Sequence, residues 1–276
     1  MQSTVHQFVT LVNLKNLKLL LEHTYVGHVG VLYLKKYIAQ YQAQKHVLSQ
    51  GGRNKMNKIY EDTQKRFFVY NNVLEESLID NILSESNASL NKNEYIVRFA
   101  VKNVVTSEQI IDVFKPYAQL TDYEKQMFHK SYTDEDNFKL TRRDGEVTLS
   151  YELSEKVHKL IGNIVKTEYN INTAIADHGS IIYYGPEYFM GRHSDGNPSN
   201  PRLCTAVLYC NEAKDGESGG DVIFYEDNET DIITYTHKPL RNQLIIFDSL
   251  NNLGIDHEVT KIKNWYRYVY RIYFDR

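Results

Sequence analysis

The sequence predicts an α+β protein in which helices pack against one sheet of a β-sandwich or jelly roll. Three observations support this fold class. After Asn170 the chain consists almost entirely of short strand-like segments separated by turn residues. Helical periodicity is found in the segments before that point. Hydrophobic residues make up 42% of the 276 residues and charged residues 24%, which is the balance of a globular protein with a substantial core.

Residues 1–66 are predicted to form a helical, basic N-terminal extension. Apolar residues recur at helical spacing over residues 5–48, and Gly51-Gly52 ends the pattern. The extension contains 10 Lys and Arg against 3 Asp and Glu, whereas the rest of the chain contains 22 against 32. Because the basic residues are scattered among apolar ones, we favour a helical face that packs on or beside an acidic domain, or that mediates oligomerisation. A nucleic-acid-binding or organelle-targeting segment is the less favoured interpretation.

A second domain is predicted over residues 67–276, and its first half mixes helices with strands. Polar residues dominate residues 130–147, which we expect to form a long loop. Such a loop is either a lid over a pocket or ordinary surface, and we favour ordinary surface. The expected elements are a strand at 67–70, a helix at 74–84, a strand at 96–105, and helices at 107–117, 121–129 and 154–167.

The strand-rich region, about residues 171–276, is expected to form the core of the sandwich or jelly roll. Turn-forming clusters such as Asp215-Gly216 and Gly219-Gly220 separate its strands. The expected strands are 173–184, 202–211, 221–225, 231–237, 243–248, 257–260 and 266–274.

The cysteines and the apolar runs indicate the compartment. Cys204 and Cys210 lie at even spacing in one expected strand, too far apart for an unstrained disulfide bond. This favours a reducing compartment. The N-terminus lacks the pattern of a secretory signal, and no apolar run approaches membrane-spanning length. We therefore expect a soluble, cytoplasmic protein that does not associate with membranes.

The first candidate for chemistry is His193-Ser194-Asp195, which places an imidazole and a carboxylate two residues apart. On a strand these side chains share a face, with Cα atoms roughly 6.6 Å apart, so both can reach one ion. The pattern alone is weak, because 10 histidines and 35 acidic residues in 276 give about 1.3 such pairs by chance. Two strands downstream carry His257 and Arg267. Two histidines and a carboxylate form the facial triad that binds iron(II) and leaves positions open, and a nearby guanidinium can grip a dicarboxylate.

At these residues the sequence closely resembles the prolyl-4-hydroxylase-like branch of the iron(II)/2-oxoglutarate dioxygenases. The family pattern is a Tyr before His-x-Asp, then a Gly-Gly strand, and finally His-x-Val with an Arg or Lys about ten residues later. The similarity runs in order over residues 178–276, a looser likeness begins at Phe67, and residues 1–66 have no counterpart. The matching positions are Tyr184, His193-Ser194-Asp195, Gly219-Gly220, His257-Glu258-Val259 and Arg267.

The resemblance implies a double-stranded β-helix and a specific set of site residues. His193, Asp195 and His257 would be the Fe(II) ligands, and Arg267, with Tyr184, would bind the C5 carboxylate of the cosubstrate 2-oxoglutarate. The implied reaction uses O₂ to hydroxylate a C–H bond and releases succinate and CO₂, with ascorbate expected to stimulate it. The retained carboxylate of Asp195 favours hydroxylation, because halogenating relatives carry a small residue at that position.

Strand alternation places further side chains beside this site. If Arg267 points inward, then Arg271 and Tyr273 also point inward. A buried Arg needs an anionic partner or several acceptors. We expect Arg271 to bind a carboxylate of the substrate, the C1 carboxylate of 2-oxoglutarate, or an acidic residue of the barrel wall. Arg192 would face away from the metal at the rim of the pocket, as a second candidate for substrate binding. Met190 stands where the family usually carries an aromatic residue.

These residues favour one function over three alternatives. The leading prediction is an Fe(II)- and 2-oxoglutarate-dependent oxygenase that hydroxylates an unactivated C–H bond of a small molecule, such as an amino acid or a natural-product intermediate. The nearest alternative is a hydroxylase of a prolyl or other residue in a peptide or protein. An inward Arg271 favours the small molecule, because an internal peptide residue has no free carboxylate. A non-catalytic binding module and a nucleic-acid demethylase are weaker alternatives, and no base-stacking or groove-reading pattern supports the latter.

Overall fold

The structure, a computed structural model, describes residues 56–63, 66–130, 137–172, 174–196, 202–226, 230–249 and 255–275. The chain divides into two compact units, Met1–Arg53 and Asn54–Arg276. The helix expected over residues 5–48 lies outside the described residues. Asn57–Asp62, within the predicted extension, is a strand, so the sheet begins before the boundary expected at Phe67.

Three α-helices and thirteen strands make up the regular structure of the described residues. The helices are α1 (Glu76–Asn91), α2 (Asp122–His129) and α3 (Tyr151–Tyr169), and a 3₁₀ turn covers Tyr117–Gln119. The strands are β1 (Asn57–Asp62), β2 (Phe67–Asn71), β3 (Ile96–Asn103), β4 (Gln109–Pro116), β5 (Phe138–Val147), β6 (Ile175–Tyr184), β7 (Phe189–His193), β8 (Arg202–Tyr209), β9 (Val222–Tyr225), β10 (Ile233–His237), β11 (Gln243–Asp248), β12 (His257–Val259) and β13 (Arg267–Asp275).

The strands form two antiparallel layers that share β5. One layer runs in the order β1-β2-β11-β8-β13-β6 and the other in the order β7-β12-β9-β10. Strand β5 pairs with β6 of the first layer and with β7 of the second, while β3 and β4 extend outward from β5. A cluster of apolar side chains from both layers fills the space between them. This α+β arrangement is a double-stranded β-helix, or jelly roll, and it confirms the predicted fold class.

Helices α1 and α3 cover the outer face of the larger layer. Leu78, Ile79 and Ile82 of α1 are buried at helical spacing. Val157 and Ile161 of α3 are buried in the same way, and the apolar cluster they join includes outward-facing residues of β8, β11 and β13. The sheet is therefore covered by helices on one face, which leaves its other face to line the interior between the layers.

Two segments differ from the sequence-based expectation. The helix expected over Ser107–Tyr117 is wrong, because Gln109–Pro116 forms the edge strand β4. Its β-branched residues Ile111 and Val113 alternate toward the cluster around Phe128, so period-two packing against β3 decides the conformation.

The loop expected over residues 130–147 is also wrong where the structure describes it, because Phe138–Val147 is strand β5. This strand is central, since it pairs with β3, β6 and β7. Residues 131–136 lie outside the described residues. The segment is polar because one face of the strand borders the interior pocket, so it is neither a lid nor an ordinary surface loop over residues 138–147.

Both cysteines were expected to lie too far apart for an unstrained disulfide bond. Cys204 and Cys210 are buried, free thiols on the helix-facing side of the sheet. No helix in the described part of the chain is long and apolar enough to cross a membrane.

Candidate active site and metal centre

Two neighbouring strands bring the predicted metal ligands together. His193 ends β7, His257 begins β12, and the two residues are register partners across the pair. Asp195 follows two residues after His193, and its carboxylate lies between the rings: Oδ1 is 3.6 Å from His193 Nε2, and Oδ2 is 3.8 Å from His257 Nε2. The three residues each offer a ligand atom within 4.8 Å of the others. This is the facial arrangement that the sequence predicted.

Hydrogen bonds behind the ligands fix their orientation. Nδ1 of His193 is 2.9 Å from the Gly191 carbonyl oxygen, and Nδ1 of His257 is 3.1 Å from that of Ile255. Because a carbonyl can only accept, each Nδ1 carries the proton and each Nε2 lone pair is left for a metal. Thr205 Oγ1 donates to Asp195 Oδ2 at 2.8 Å.

The electrostatics of the triad favour the ligating protonation state at Asp195 and His257, whereas at His193 they favour the protonated imidazole that Asp195 attracts. Burial opposes ionisation of Asp195, but His257, His193 and Arg271 outweigh it and hold the pKa of the carboxyl well below its usual range. Burial, together with the neighbouring His193, lowers the pKa of His257 to about 4. For His193, burial is outweighed by Asp195, and the pKa is raised. A neutral imidazole at His257 beside an ionised carboxylate is a ready ligand pair for a divalent cation.

The triad faces a pocket between the two layers. The space not filled by atoms measures about 470 Å³, including its opening to solvent. Apolar side chains such as Ile182, Val207 and Phe224 line most of it, and the polar lining residues include His193, Asp195, His257, Arg267 and Arg271. Mostly apolar walls with a few convergent polar groups are typical of a small-molecule site.

Arg267 supplies a cationic end to the pocket. The residue is 1% exposed, and its Nε and Nη1 have no hydrogen-bond partner within the described part of the chain. The guanidinium carbon lies 4.8 Å from the ring centre of Tyr184 and 5.2 Å from that of Tyr209. Gly220 allows this packing, because a Cβ there would lie 3.0 Å from Cδ of Arg267. A buried cation with unused donors fits the distal carboxylate of a dicarboxylate cosubstrate.

The two adjacent tyrosines of β6 point in opposite directions. Tyr184 lines the pocket, and its hydroxyl is 3.9 Å from the sulfur of Met190, at the position where the family usually has an aromatic residue. Tyr183 packs outside the pocket, against Tyr95 and Tyr188. The structure therefore brings Tyr184 to Arg267, as expected. Tyr209, which the sequence did not single out, joins them, and alternation with Thr205 and Val207 along β8 would have indicated it.

The two other predicted arginines occupy different places. Arg271 lines the pocket, which confirms that it points inward, and its Nη2 is 3.6 Å from Oε2 of Glu146. Arg192 lies away from the pocket lining, with its Nε 3.0 Å from Asp256 Oδ2 and its guanidinium carbon 4.0 Å from the ring centre of Tyr225. Arg192 thus connects β7 to the segment that leads into β12. The geometry gives it a structural contact rather than one to a ligand in the pocket.

The sequence of the strand-rich region matches a known family. Residues 179–275 match the family described as the 2OG-Fe(II) oxygenase superfamily, and this segment includes the triad, Arg267 and Arg271. Residues 179–275 are a 2OG-Fe(II) oxygenase domain. No curated protein sequence matches the chain.

Several solved structures are similar to the oxygenase. One is a prolyl-4-hydroxylase from Pseudomonas putida, with 15% identity, a TM-score of 0.49, and coverage of 77% of this chain and 94% of that chain. Another is the viral collagen prolyl hydroxylase of Paramecium Bursaria Chlorella virus-1, with 14% identity, a TM-score of 0.48, and coverage of 76% and 96%. A third is a prolyl hydroxylase from Trichoplax adhaerens in complex with a hypoxia inducible factor peptide, with 15% identity, a TM-score of 0.46, and coverage of 76% and 84%.

The family match over residues 179–275 identifies a dioxygenase that uses Fe(II), 2-oxoglutarate and O₂. The residues present fit these groups, because two histidines and a carboxylate converge at one end of the pocket, and Arg267 keeps two buried donors without partners in the described part of the chain. When bound, the iron and cosubstrate supply the oxidising chemistry. The protein would contribute ligand orientation, donors at Arg267 for the distal carboxylate, and apolar walls that exclude water from the reacting centre.

Proposed function

We propose that this oxygenase hydroxylates an unactivated C–H bond of a small molecule that carries a carboxylate, such as an amino acid or a natural-product intermediate. The observation that carries the proposal is Arg271. Its side chain lines the pocket and is 12% exposed, and its buried Nε has no hydrogen-bond partner among the described residues. A buried guanidinium with an unused donor favours a ligand that brings an acceptor to it.

The position of Arg271 supports a role toward the substrate. Its charge contributes to the low pKa of Asp195. Its guanidinium carbon is 4.7 Å from the ring centre of Tyr273, and the Tyr273 hydroxyl donates to Asp195 Oδ1 at 3.4 Å. A carboxylate held by Arg271 would therefore keep the rest of a small molecule beside the metal ligands, while Arg267 holds the distal carboxylate of 2-oxoglutarate.

A residue of a polypeptide is the second candidate substrate, and one surface favours it. Strand β4 is an edge strand that pairs with β3 alone among the described strands, and its side chains Ile110 and Phe114 are exposed. An exposed edge can add an extended peptide as a further strand. The guanidinium carbon of Arg98, on β3, lies 4.1 Å from the ring centre of Phe114, so this edge is adjacent to the charged side chains of the interior.

Substrate-stimulated release of succinate distinguishes the two candidates. The purified protein would be loaded with Fe(II) and 2-oxoglutarate in the presence of ascorbate, and exposed in turn to free amino acids, other small carboxylates and proline-containing peptides. We expect small carboxylates to raise succinate release above the rate without substrate. Stimulation by peptides alone would replace the proposal with the second candidate.

Arg271→Ala provides the direct test of the residue that carries the proposal. We expect the Michaelis constant for the small-molecule substrate to rise at least about tenfold, because a charge-assisted hydrogen bond contributes about 1.5–3 kcal/mol. Arg66→Ala is the matched control, since Arg66 is 52% exposed and lies outside the pocket. If the Michaelis constants for both substrate and 2-oxoglutarate are unchanged in Arg271→Ala, the role assigned to Arg271 is wrong.

A further inference from the structure

More positive charge borders the substrate side of the pocket than its own carboxylates neutralise. The ring of Tyr273 contacts two guanidinium groups: its centre lies 3.5 Å from the guanidinium carbon of Arg202 and 4.7 Å from that of Arg271. Glu146 Oε2 accepts a hydrogen bond from Arg98 at 2.6 Å and is the same atom that lies 3.6 Å from Arg271. These contacts link Arg98, Arg202 and Arg271 into one group.

Strand β5 adds a further arginine and its carboxylate to the same region. Arg142 Nε is 2.5 Å from Asp144 Oδ2. Arg142 is the register partner of Met190, and Glu146 is the register partner of Ile182. Met190 and Ile182 both line the pocket. Because partners on adjacent strands project from the same face, the alternating residues Arg142, Asp144 and Glu146 lie on the pocket side of β5.

Each arginine of this group has a buried donor that no described residue accepts. Nε of Arg98, Nη2 of Arg142, Nε of Arg202 and Nε of Arg271 have no hydrogen-bond partner among the described residues. The two carboxylates offer one unused buried acceptor, Oδ1 of Asp144. Unused donors outnumber unused acceptors, so the group is suited to an acceptor-rich ligand.

The formal charges of this group indicate the charge that a complementary ligand would carry. Arg98, Arg142, Arg202 and Arg271 carry four positive charges against the two negative charges of Asp144 and Glu146. The iron centre does not absorb this excess, because the two charges of Fe(II) and the one of Arg267 are balanced by Asp195 and dianionic 2-oxoglutarate. Burial, and the nearby positive charges of Arg271 and Arg142, lower the pKa of Arg98 despite its contact with Glu146. Such uncompensated charge is costly in a partly buried site.

We propose that the substrate is a small dianion, with one anionic group at Arg271 and a second at the neighbouring guanidinium groups of Arg98, Arg142 and Arg202. This inference rests on the proposed function and narrows it from a carboxylate-bearing molecule to one with two anionic groups. It also gives β5 a role in specificity, because its three inward side chains Arg142, Asp144 and Glu146 contribute to the charge of the region.

Acid and amide pairs of the same shape test the charge directly. With 2-oxoglutarate saturating, kcat/KM for succinate release would be compared for L-glutamate and L-glutamine, L-aspartate and L-asparagine, and further diacids and their monoamides. Binding would be followed independently by the fluorescence of Trp265, the sole tryptophan, under anaerobic conditions with Fe(II). We expect the preferred compounds to be diacids, each at least tenfold better than its amide. Equal use of acid and amide, or no binding of any small dianion, would overturn the inference.

Different results would show that the inference is wrong and that the proposed function is wrong. If monocarboxylates are turned over as well as diacids, the proposed function stands and the inference of a dianionic substrate is wrong. Turnover of peptides alone would remove both.

Arg98→Gln tests whether the arginine group causes the preference. We expect the ratio of kcat/KM between diacid and monoamide to fall at least tenfold, whereas a loss of folding alone would lower both values together. Arg66→Gln should keep the ratio of the natural protein. An unchanged ratio in Arg98→Gln would contradict the assignment of the second anionic group.

Discussion

Asp195 is held in place by a pair of hydroxyl groups. Thr205 Oγ1 lies 2.8 Å from Asp195 Oδ2 and 2.6 Å from Ser249 Oγ, and all three residues are buried. The hydrogen bond fixes the carboxylate so that its oxygens face the two histidines. Residues that orient a metal ligand commonly contribute about 10–100-fold to metal affinity.

We therefore expect Thr205→Val, which keeps the shape but removes the hydroxyl, to weaken Fe(II) binding by about tenfold or more. Anaerobic metal titration of the purified variant measures this directly. Thr167→Val is the control, because the Thr167 hydroxyl bonds to the Asn163 carbonyl on the exposed side of α3. Equal Fe(II) affinity in Thr205→Val and the natural protein would show that Asp195 does not depend on the hydroxyl.

His237 is a buried histidine outside the triad. It ends β10 with its ring centre 4.8 Å from that of Tyr209, it has no exposed surface, and neither ring nitrogen has a hydrogen-bond partner in the described residues. Burial, with a contribution from Arg267, lowers its pKa to about 3. The folded protein therefore keeps His237 neutral at pH values where an unfolded chain would protonate it.

This difference predicts an acid-dependent loss of stability. Between the unfolded pKa of about 6.5 and the folded value, the unfolded chain binds the extra proton, so the free energy of unfolding falls as pH falls. His237→Leu removes the linkage and an unsatisfied polar group. We expect its melting temperature at pH 7.5 to equal or exceed that of the natural protein. By pH 5 the difference in melting temperature should grow, because the advantage in free energy of unfolding increases by up to a few kcal/mol. Parallel pH dependence of the two melting temperatures would refute this role.

The sequence predicts the site residues that share a linear motif and misses those that meet only across strands. His193, Asp195, His257 and Arg267 come from ordered motifs, and alternation correctly turns Arg271 inward. Tyr209, Arg98 and Arg142 carry no such motif. Their place beside the pocket follows from strand register, which depends on how distant segments pair.

At the scale of elements, β5 shows why a strand can be hidden in the sequence. A half-buried strand normally alternates apolar and polar residues, with the apolar ones inward. In β5 the residues on the pocket side are Arg142, Asp144 and Glu146, and all are at most half-exposed. The charged residues on this side of β5 therefore make the segment look like a surface loop. Strands without such residues on the pocket side, such as β11, are easily predicted because all their positions are buried.

The same substitution is expected to have opposite effects at two glycines, one in β5 and one in α3. A Cβ at Gly145 of β5 would overlap the ring of Tyr183, its register partner on β6. A Cβ at Gly162 of α3 would meet Phe274 at 3.5 Å, which is ordinary contact. We expect Gly145→Ala to destabilise the fold by about 1–3 kcal/mol through overpacking. We expect Gly162→Ala to stabilise it by about 0.5–1 kcal/mol, because alanine has less entropy to lose in a helix.

Chemical denaturation of the two glycine variants measures both changes in the free energy of unfolding. The variants serve as controls for each other, since each adds one methyl group. Destabilisation by Gly162→Ala would mean that α3 cannot accommodate the methyl group against β13. A neutral Gly145→Ala would mean that the Tyr183 ring moves away at little cost.

At the scale of the whole molecule, the two faces of the larger layer have different roles: one packs against helices and the other lines the pocket. Its outer face is covered by α1 and α3 through a large apolar cluster, and its inner face carries Arg267, Arg271 and the pocket. Composition and helical periodicity are enough to predict the covered face, which is why the fold class is predictable. The inner face departs from those rules because it carries charged side chains, so its residues are predicted only where a linear motif or strand alternation indicates them.

Strand β1 indicates where the oxygenase unit begins. Strand β1 pairs with β2, and the ring of Tyr60 stacks on that of Tyr235 with centres 4.9 Å apart. Lys58 Nζ also lies 2.8 Å from Glu168 of α3. We expect a chain covering Asn54–Arg276 to fold and to bind Fe(II) and 2-oxoglutarate. A chain that begins at Phe67 lacks β1 and exposes β2 as an unpaired edge, so its melting temperature should be several degrees lower. Equal melting temperatures of the two truncated chains would place the functional boundary at Phe67, as the sequence alone suggests.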